Sequence, residues 1–158
     1  MNALDVLFYG HRWVLLHTEG LSNEQWLAPN VCGWWSCRDI ITHLASFEVV
    51  LAEVCANLLN GAPAPTRDRQ QADGELFNSD EVAARSQLSP AEALADYTRC
   101  YERALELARR LPAERWRQAG AIPWYGREYD LDDYVAYAFY GHKREHMAQV
   151  AIYRDTLR

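Results

Sequence analysis

Two histidines near the end of the chain, His142 and His146, have the spacing that most directly suggests chemistry. They lie in a segment, residues 130–158, whose apolar side chains recur every three or four positions, as on one face of an α-helix. Residues one helical turn apart can contact a single ion, and neutral imidazole is a ligand for zinc, nickel, iron and copper. The alternative is that one ring is exposed and the other is hydrogen-bonded in the core.

A third histidine, His43, lies on the apolar stripe of an earlier predicted helix, between Ile40 and Phe47. A buried imidazole costs stability unless it is hydrogen-bonded or coordinated. If His43, His142 and His146 share one divalent ion, one to three coordination positions stay open, whereas structural zinc sites are closed by four ligands. Such openness indicates catalysis, because the ion could lower the pKa of bound water or stabilise a thiolate.

The acids nearest to these histidines in the sequence are Glu48 and Glu145, which we predict as catalytic residues. Either could act as a general base, as a hydrogen-bond partner of a ligand or as a fourth ligand. The alternative for Glu145 is a solvent-facing position. Cys37 points about 120° away from His43 on a helix with 100° per residue, so it is a poor ligand candidate.

The other histidines and several aromatic residues have plainer interpretations. His11 is predicted to be a core histidine bonded to a backbone carbonyl, and His17 to be exposed. Four aromatic residues are candidates for an apolar pocket wall, with ordinary core packing as the alternative. They are Trp35, Phe47, Tyr137 and Tyr140.

Four long amphipathic helices must position these side chains. The first is predicted over about residues 2 to 18, and the second begins after the cap Ser36, with Asp39 completing a capping box, and runs to about residue 59. The third follows the cap Ser89, and the last begins after Asp130. Residues 60 to 89 form a long connection with a short helical pattern at 80 to 87. The sequence therefore predicts one all-α domain, residues 1–158, folded as a four-helix bundle.

Composition and charge exclude several classes of protein. The chain has 158 residues, 49% of them hydrophobic, and a formal net charge of −6, so no basic surface is available for nucleic acid. No segment reaches the roughly 18 to 20 apolar residues of a membrane span, and the first residues lack a signal-peptide pattern. The four cysteines show no disulfide spacing. We expect a soluble, cytoplasmic protein with reduced thiols.

The segment from Trp35 to Glu48 contains W-S-x-x-D-x-x-x-H-L, and His142 and His146 form H-x-x-x-H on the last predicted helix. Both motifs, in this order, resemble the signatures of the DinB-like (DinB/YfiT) metalloenzymes. The resemblance implies a four-helix bundle that holds a divalent metal, commonly zinc or nickel, through His43, His142 and His146. It also implies a homodimer and, in related members, a low-molecular-weight thiol such as mycothiol, bacillithiol or glutathione as co-substrate.

Three functions are compatible with these features. The first is a metal-dependent transferase or hydrolase that acts on a small electrophilic substrate, with the thiol supplied by a small molecule because no cysteine joins the three histidines. The second is a non-catalytic stress-response protein that binds a metal or a small molecule. The third is a helical bundle with vestigial histidines whose role is dimerisation, which the position of the histidines on core-facing stripes disfavours.

Overall fold

The computed structural model describes residues 2–157. Within that range the chain is helical, and β-structure is limited to one isolated bridge between Cys32 and Trp35, which confirms the predicted all-α class. The helices are α1 (Ala3–Thr18), α2 (Asn23–Leu27), α3 (Cys37–Asn60), α4 (Pro65–Ala72), α5 (Gly74–Ala84), α6 (Pro90–Arg110), α7 (Ala113–Trp116), α8 (Leu131–Val135), a π-helical segment (Ala136–Gly141) and α9 (His142–Asp155).

The helix starts are where the capping residues predict them. At α3 the Ser36 hydroxyl accepts a hydrogen bond from the Asp39 backbone N–H, and the Asp39 carboxylate accepts one from the Ser36 backbone N–H. Ser89 forms the same reciprocal pair at the start of α6, and Asp130 does so at α8. Each pair satisfies two backbone donors that a helix start leaves unpaired.

The connection between α3 and α6 is more ordered than the sequence predicts. The predicted short helix at 80 to 87 corresponds to the end of α5, which begins earlier, at Gly74, and ends at Ala84, and α4 is a further helix in the connection. The start of α4 is held by Glu53 of α3, whose carboxylate accepts hydrogen bonds from the backbone N–H groups of Thr66 and Arg67 at 2.8 and 3.0 Å. These hydrogen bonds attach the first part of the connection to α3.

The last predicted helix is not continuous. Its α-helical hydrogen bonding is interrupted over Ala136–Gly141 by a π-helical turn, in which the bonds span five residues and not four. The segment ends directly before His142. Such turns are rare, and they frequently lie at functional sites.

The core consists of two apolar clusters that follow one another along the helix axes. One cluster contains Leu51 and Phe139, and the other contains Ile40 and Met147. The packing of α3 along α6, and of α1 along α9, brings these clusters together. Whether the arrangement is a four-helix bundle in the strict sense stays a prediction.

Two further sequence predictions concern cysteines and membranes. Cys32, Cys37, Cys55 and Cys100 are all free thiols. Among residues 2–157, no helix combines the length and the apolar character that crossing a membrane requires.

Candidate metal centre

Three helical positions bring the candidate ligands together. His43 lies in the second turn of α3, whose start is fixed by the Ser36 cap, and His142 and His146 lie one turn apart at the start of α9. His43 and His146 are buried, and His142 is partly buried. The predicted metal ligands therefore lie side by side, although their positions in the sequence are far apart.

The three imidazole rings direct their Nε2 atoms at one another. The Nε2 of His142 lies 2.9 Å from the Nε2 of His43 and 3.0 Å from the Nε2 of His146. The ligand atoms of all three residues are within 4.8 Å of one another, so that they could hold a metal ion. Within residues 2–157 this group contains no cysteine or carboxylate.

Hydrogen bonding alone does not account for this contact. A neutral imidazole has one N–H group and one in-plane lone pair, so the Nε2 of His142 can bond to only one of its two neighbours. A cation would satisfy all three lone pairs, since nitrogen ligands about 2.0–2.1 Å from a shared ion are about 2.9–3.4 Å from one another at coordination angles between about 90° and 109°. The observed separations of 2.9 and 3.0 Å fit that arrangement.

Gln149 fixes the orientation of one ligand. Its Oε1 lies 2.9 Å from the Nδ1 of His146. An amide oxygen only accepts, so Nδ1 must carry the proton and the Nε2 lone pair must face the other two rings. The Nδ1 atoms of His43 and His142 are buried and find no hydrogen-bond partner in the described part of the chain.

Replacing Gln149 by leucine is expected to lower the affinity for Zn²⁺ by about 10–100-fold, because the ring of His146 would no longer be held in its ligating tautomer. Competition with a chromophoric chelator measures the affinity. Gln149→Glu is the matched control, since its carboxylate still accepts from Nδ1 and should preserve the affinity. An equal loss in both variants would contradict the role of the acceptor.

Burial keeps the three rings neutral at physiological pH. Desolvation, followed by repulsion from the neighbouring imidazoles, lowers the pKa of His43 to about 2. Desolvation, followed by repulsion from the His146 ring and from the Lys143 cation, lowers the pKa of His142 to about 3. Burial also lowers the pKa of His146, although Gln149 and Glu145 oppose the shift. The rings are therefore available as neutral ligands.

The metal-free protein is expected to lose stability as the pH falls from about 6.5, the unperturbed histidine value, towards 3. In that window the unfolded chain binds protons at His43 and His142 and the folded chain does not, so the free energy of unfolding decreases on acidification. The slope is about 1.4 kcal/mol per pH unit for each ring.

Urea unfolding at a series of pH values measures this slope. The double variant His43→Leu/His142→Leu removes both groups and should show a shallower dependence on pH. If the two proteins lose stability in parallel, the lowered pKa values are wrong.

Aromatic side chains surround the rings, as predicted for two of the four candidates. The Trp35 ring lies 4.9 Å from that of His43, and the Phe47 ring lies 4.4 Å from that of His142. Phe47 also packs on Phe77 of α5 at 6.1 Å, so the connection helps to close this side of the site. Tyr137 is 68% exposed, and Tyr140 lines a separate cavity against α1.

The two predicted catalytic acids are not part of the ligand group. Glu48 is fully buried and forms an ion pair with Lys143. Glu145 is exposed on α9, one residue before His146. The structure thus brings the three histidines together and places both carboxylates outside them.

The remaining sequence candidates lie elsewhere. His11 is a core residue, as predicted, but its partner is the Tyr97 hydroxyl at 3.4 Å and not the predicted backbone carbonyl. Burial, assisted by the nearby cations Lys143 and Arg12, lowers its pKa to about 4. His17 is partly buried and not exposed, with its Nδ1 2.9 Å from the Trp13 carbonyl.

Lys143 and Gln149 are the polar residues next to the site that sequence reasoning missed. Lys143 lies in the charged run KRE, which indicates a solvent-facing turn, yet its position four residues after Phe139 puts it on the buried stripe of the last helix. Gln149 lies on the same stripe as His146. The sequence feature that could have identified Gln149 is its inward-facing position three residues after His146.

The fold and the site define an all-helical protein with a candidate three-histidine metal centre. A comparison with protein-family models matches residues 10–129 to the mycothiol maleylpyruvate isomerase N-terminal domain. Because the match covers more than half of the chain, the protein belongs to that family, which is part of the DinB/YfiT-like superfamily. The match includes His43 and ends before His142 and His146. The predicted relationship is confirmed at the superfamily level.

Two other comparisons gave no match. No curated protein and no solved structure is significantly similar to the chain.

Proposed function

We propose that this protein is an enzyme that depends on a divalent metal and uses mycothiol as its thiol co-substrate. The reaction would be thiol transfer to, or hydrolysis of, a small electrophilic substrate. The observation that carries the proposal is the convergence of three neutral Nε2 atoms at 2.9 and 3.0 Å. Membership of a family described by a mycothiol-using isomerase supports the choice of thiol.

His43, His142 and His146 would hold the ion, with zinc or nickel as the proposed metal. A divalent cation there would stabilise the thiolate form of a coordinated thiol and so raise the concentration of the nucleophile at neutral pH. Because the ligand group contains no cysteine, the nucleophile has to come from a small molecule. The Trp35 and Phe47 rings exclude water from one side of the histidines and so strengthen electrostatic interactions there.

Glu145 is the acid that we propose as the general base. It is exposed next to His146, where an incoming thiol or water could reach it. Glu145→Gln would then lower kcat while leaving the metal content unchanged. A role for Glu48 as a proton acceptor also stays a prediction, although its carboxylate is paired with Lys143.

The experiment begins with the metal content of untagged protein, measured by elemental analysis. Zinc- and nickel-loaded protein is then incubated with a panel of small electrophiles and with mycothiol, bacillithiol or glutathione, and product is counted per protein molecule. We expect many turnovers with mycothiol. His43→Ala should abolish them.

Two outcomes would contradict the proposal. Wild-type protein that takes up neither zinc nor nickel would end the metal hypothesis. Product that never exceeds one equivalent, across all thiols and electrophiles, would instead favour the non-catalytic binding protein.

The finer features of fold and assembly are also proposals. We propose a four-helix bundle formed by α1, α3, α6 and the α8–α9 pair, which a crystal structure would test. A homodimer is supported by exposed aromatic residues of α1, among them Tyr9 and Trp13, which line a cavity of about 560 Å³. Sedimentation equilibrium measures the assembly. A cytoplasmic location and a stress-response role stay predictions of the sequence.

A further inference from the structure

Five buried side chains form a polar layer across the helical core. They come from α1, α3, α6 and α9, and all carry a titratable group. The members of the polar layer are His11, Glu48, Tyr97, Tyr101 and Lys143.

The polar layer is centred on the ion pair between Glu48 and Lys143. The Lys143 ammonium also lies over the rings of Tyr101 and Tyr97, 5.5 and 5.9 Å from their centroids. His11 stacks on the Tyr101 ring at 3.9 Å in a nearly parallel arrangement. Within residues 2–157, neither charge of the ion pair has a hydrogen bond to any other group.

The polar layer lies at the boundary between the two apolar clusters of the core, and its tyrosines belong to both sides, Tyr101 to one cluster and Tyr97 to the other. On three helices a polar member lies between a residue of one cluster and a residue of the other. The neighbours in the first cluster are Leu7 for His11, Val50 for Glu48 and Phe139 for Lys143. Those in the second cluster are, in the same order, Val14, Ala45 and Met147. The same level of the core is therefore polar on each of these helices.

Stability does not explain the ion pair. Two charges lose their hydration on burial, and apolar residues of similar volume are often as stabilising or more so. A buried polar contact can supply register, because a helix that slides or rotates leaves the charges unpaired, whereas apolar contacts tolerate small shifts.

The ion pair links the same two helices that carry the metal ligands. Lys143 directly follows His142, and Glu48 lies five residues after His43, about 7.5 Å further along the axis of α3. The two helices run antiparallel, because Ile40 of α3 shares one cluster with Met147, whereas Val50 shares the other with Phe139. The lysine stem passes against α1 at Gly10, where a Cβ would lie only 3.3 Å from the Lys143 Cδ.

We propose that Glu48 and Lys143 are positioning residues of the metal centre. Their ion pair sets the register of α9 on α3 at which the Nε2 atoms of His142 and His146 meet that of His43. The inference rests on the proposed metal-binding function, but the positions of the rings can be tested without metal.

The test uses the double variant Glu48→Leu/Lys143→Met, which removes both charges and keeps the core apolar. Its metal-free crystal structure should show the His142 Nε2 displaced from the His43 Nε2, out of the 2.9 Å contact. Its zinc affinity should fall by about 10–100-fold, the usual cost of losing support around a metal ligand. The visible absorption spectrum of the Co²⁺-loaded protein should change, and the thermal unfolding midpoint should stay close to that of the wild type.

Two further variants complete the design. Glu48→Gln/Lys143→Met keeps a polar side chain on α3, and the same measurements are made on it if the first variant does not fold. Arg103→Met/Glu106→Leu removes an exposed ion pair with a separation of 2.9 Å on α6 and is the matched control. The control should leave the zinc affinity, the Co²⁺ spectrum and the ring positions unchanged.

Three results would overturn the inference. The first is unchanged ring positions in the double variant, and the second is an unchanged zinc affinity and Co²⁺ spectrum. The third is loss of folding in both double variants, because the ion pair would then be needed for stability itself. Failure of the proposed function looks different: wild-type protein would bind no metal, while the crystal structures would still decide whether the ion pair positions the rings.

Discussion

Replacing His43 by alanine is expected to abolish stoichiometric binding of divalent metal. The ring supplies one of three Nε2 atoms that lie together, and it is the only one from α3. Losing one of three ligands should cost at least about 100-fold in affinity, since partners outside the ligand set alone account for about 10–100-fold. Isothermal titration with Zn²⁺ and elemental analysis of dialysed protein measure the loss.

His17→Ala is the matched control for this variant. It removes a histidine from α1 whose ring contacts the Trp13 carbonyl and lies outside the ligand group. Wild type and His17→Ala should bind one equivalent of zinc. If His43→Ala does so as well, the three-histidine centre is not the metal site.

The second large effect concerns the buried ion pair. Glu48→Leu leaves the Lys143 ammonium in the core without its counter-charge, and both side chains are almost completely inaccessible to solvent. Removing one partner of a buried ion pair costs about 3–5 kcal/mol. We expect a loss of that size in the free energy of unfolding, measured by urea denaturation at neutral pH.

The double variant Glu48→Leu/Lys143→Met should recover most of this loss, because no charge is then left unpaired. Glu102→Leu, at an exposed position of α6, is the control and should change stability by no more than about 0.5 kcal/mol. A Glu48→Leu protein as stable as this control would show that Lys143 finds another partner or reaches solvent.

Features specified by neighbouring residues could be predicted from the sequence. The capping boxes at Ser36 and Ser89 depend on residues three positions apart, so their patterns locate the starts of α3 and α6. The three histidines could be found because polar rings on apolar stripes require a partner, and two motifs then identified the superfamily.

Features that depend on distant partners could not be predicted. Helix α4 has no buried residue and no local cap, and its first turn is held by the carboxylate of Glu53, which belongs to α3. The partner of Lys143 is equally remote, because Glu48 is almost a hundred residues earlier in the chain. Only the folded arrangement shows that these polar side chains meet.

The π-helical segment before His142 determines on which face of α9 the two histidines lie. A π-helical turn takes up one more residue than an α-helical turn, so winding all six residues of Ala136–Gly141 as an α-helix would rotate all that follows by about 100° around the helix axis. His142 and His146 would then face away from His43. A deletion of a single codon within the segment would instead leave both histidines on their present face, because the shortened segment needs only the narrower α-helical turn.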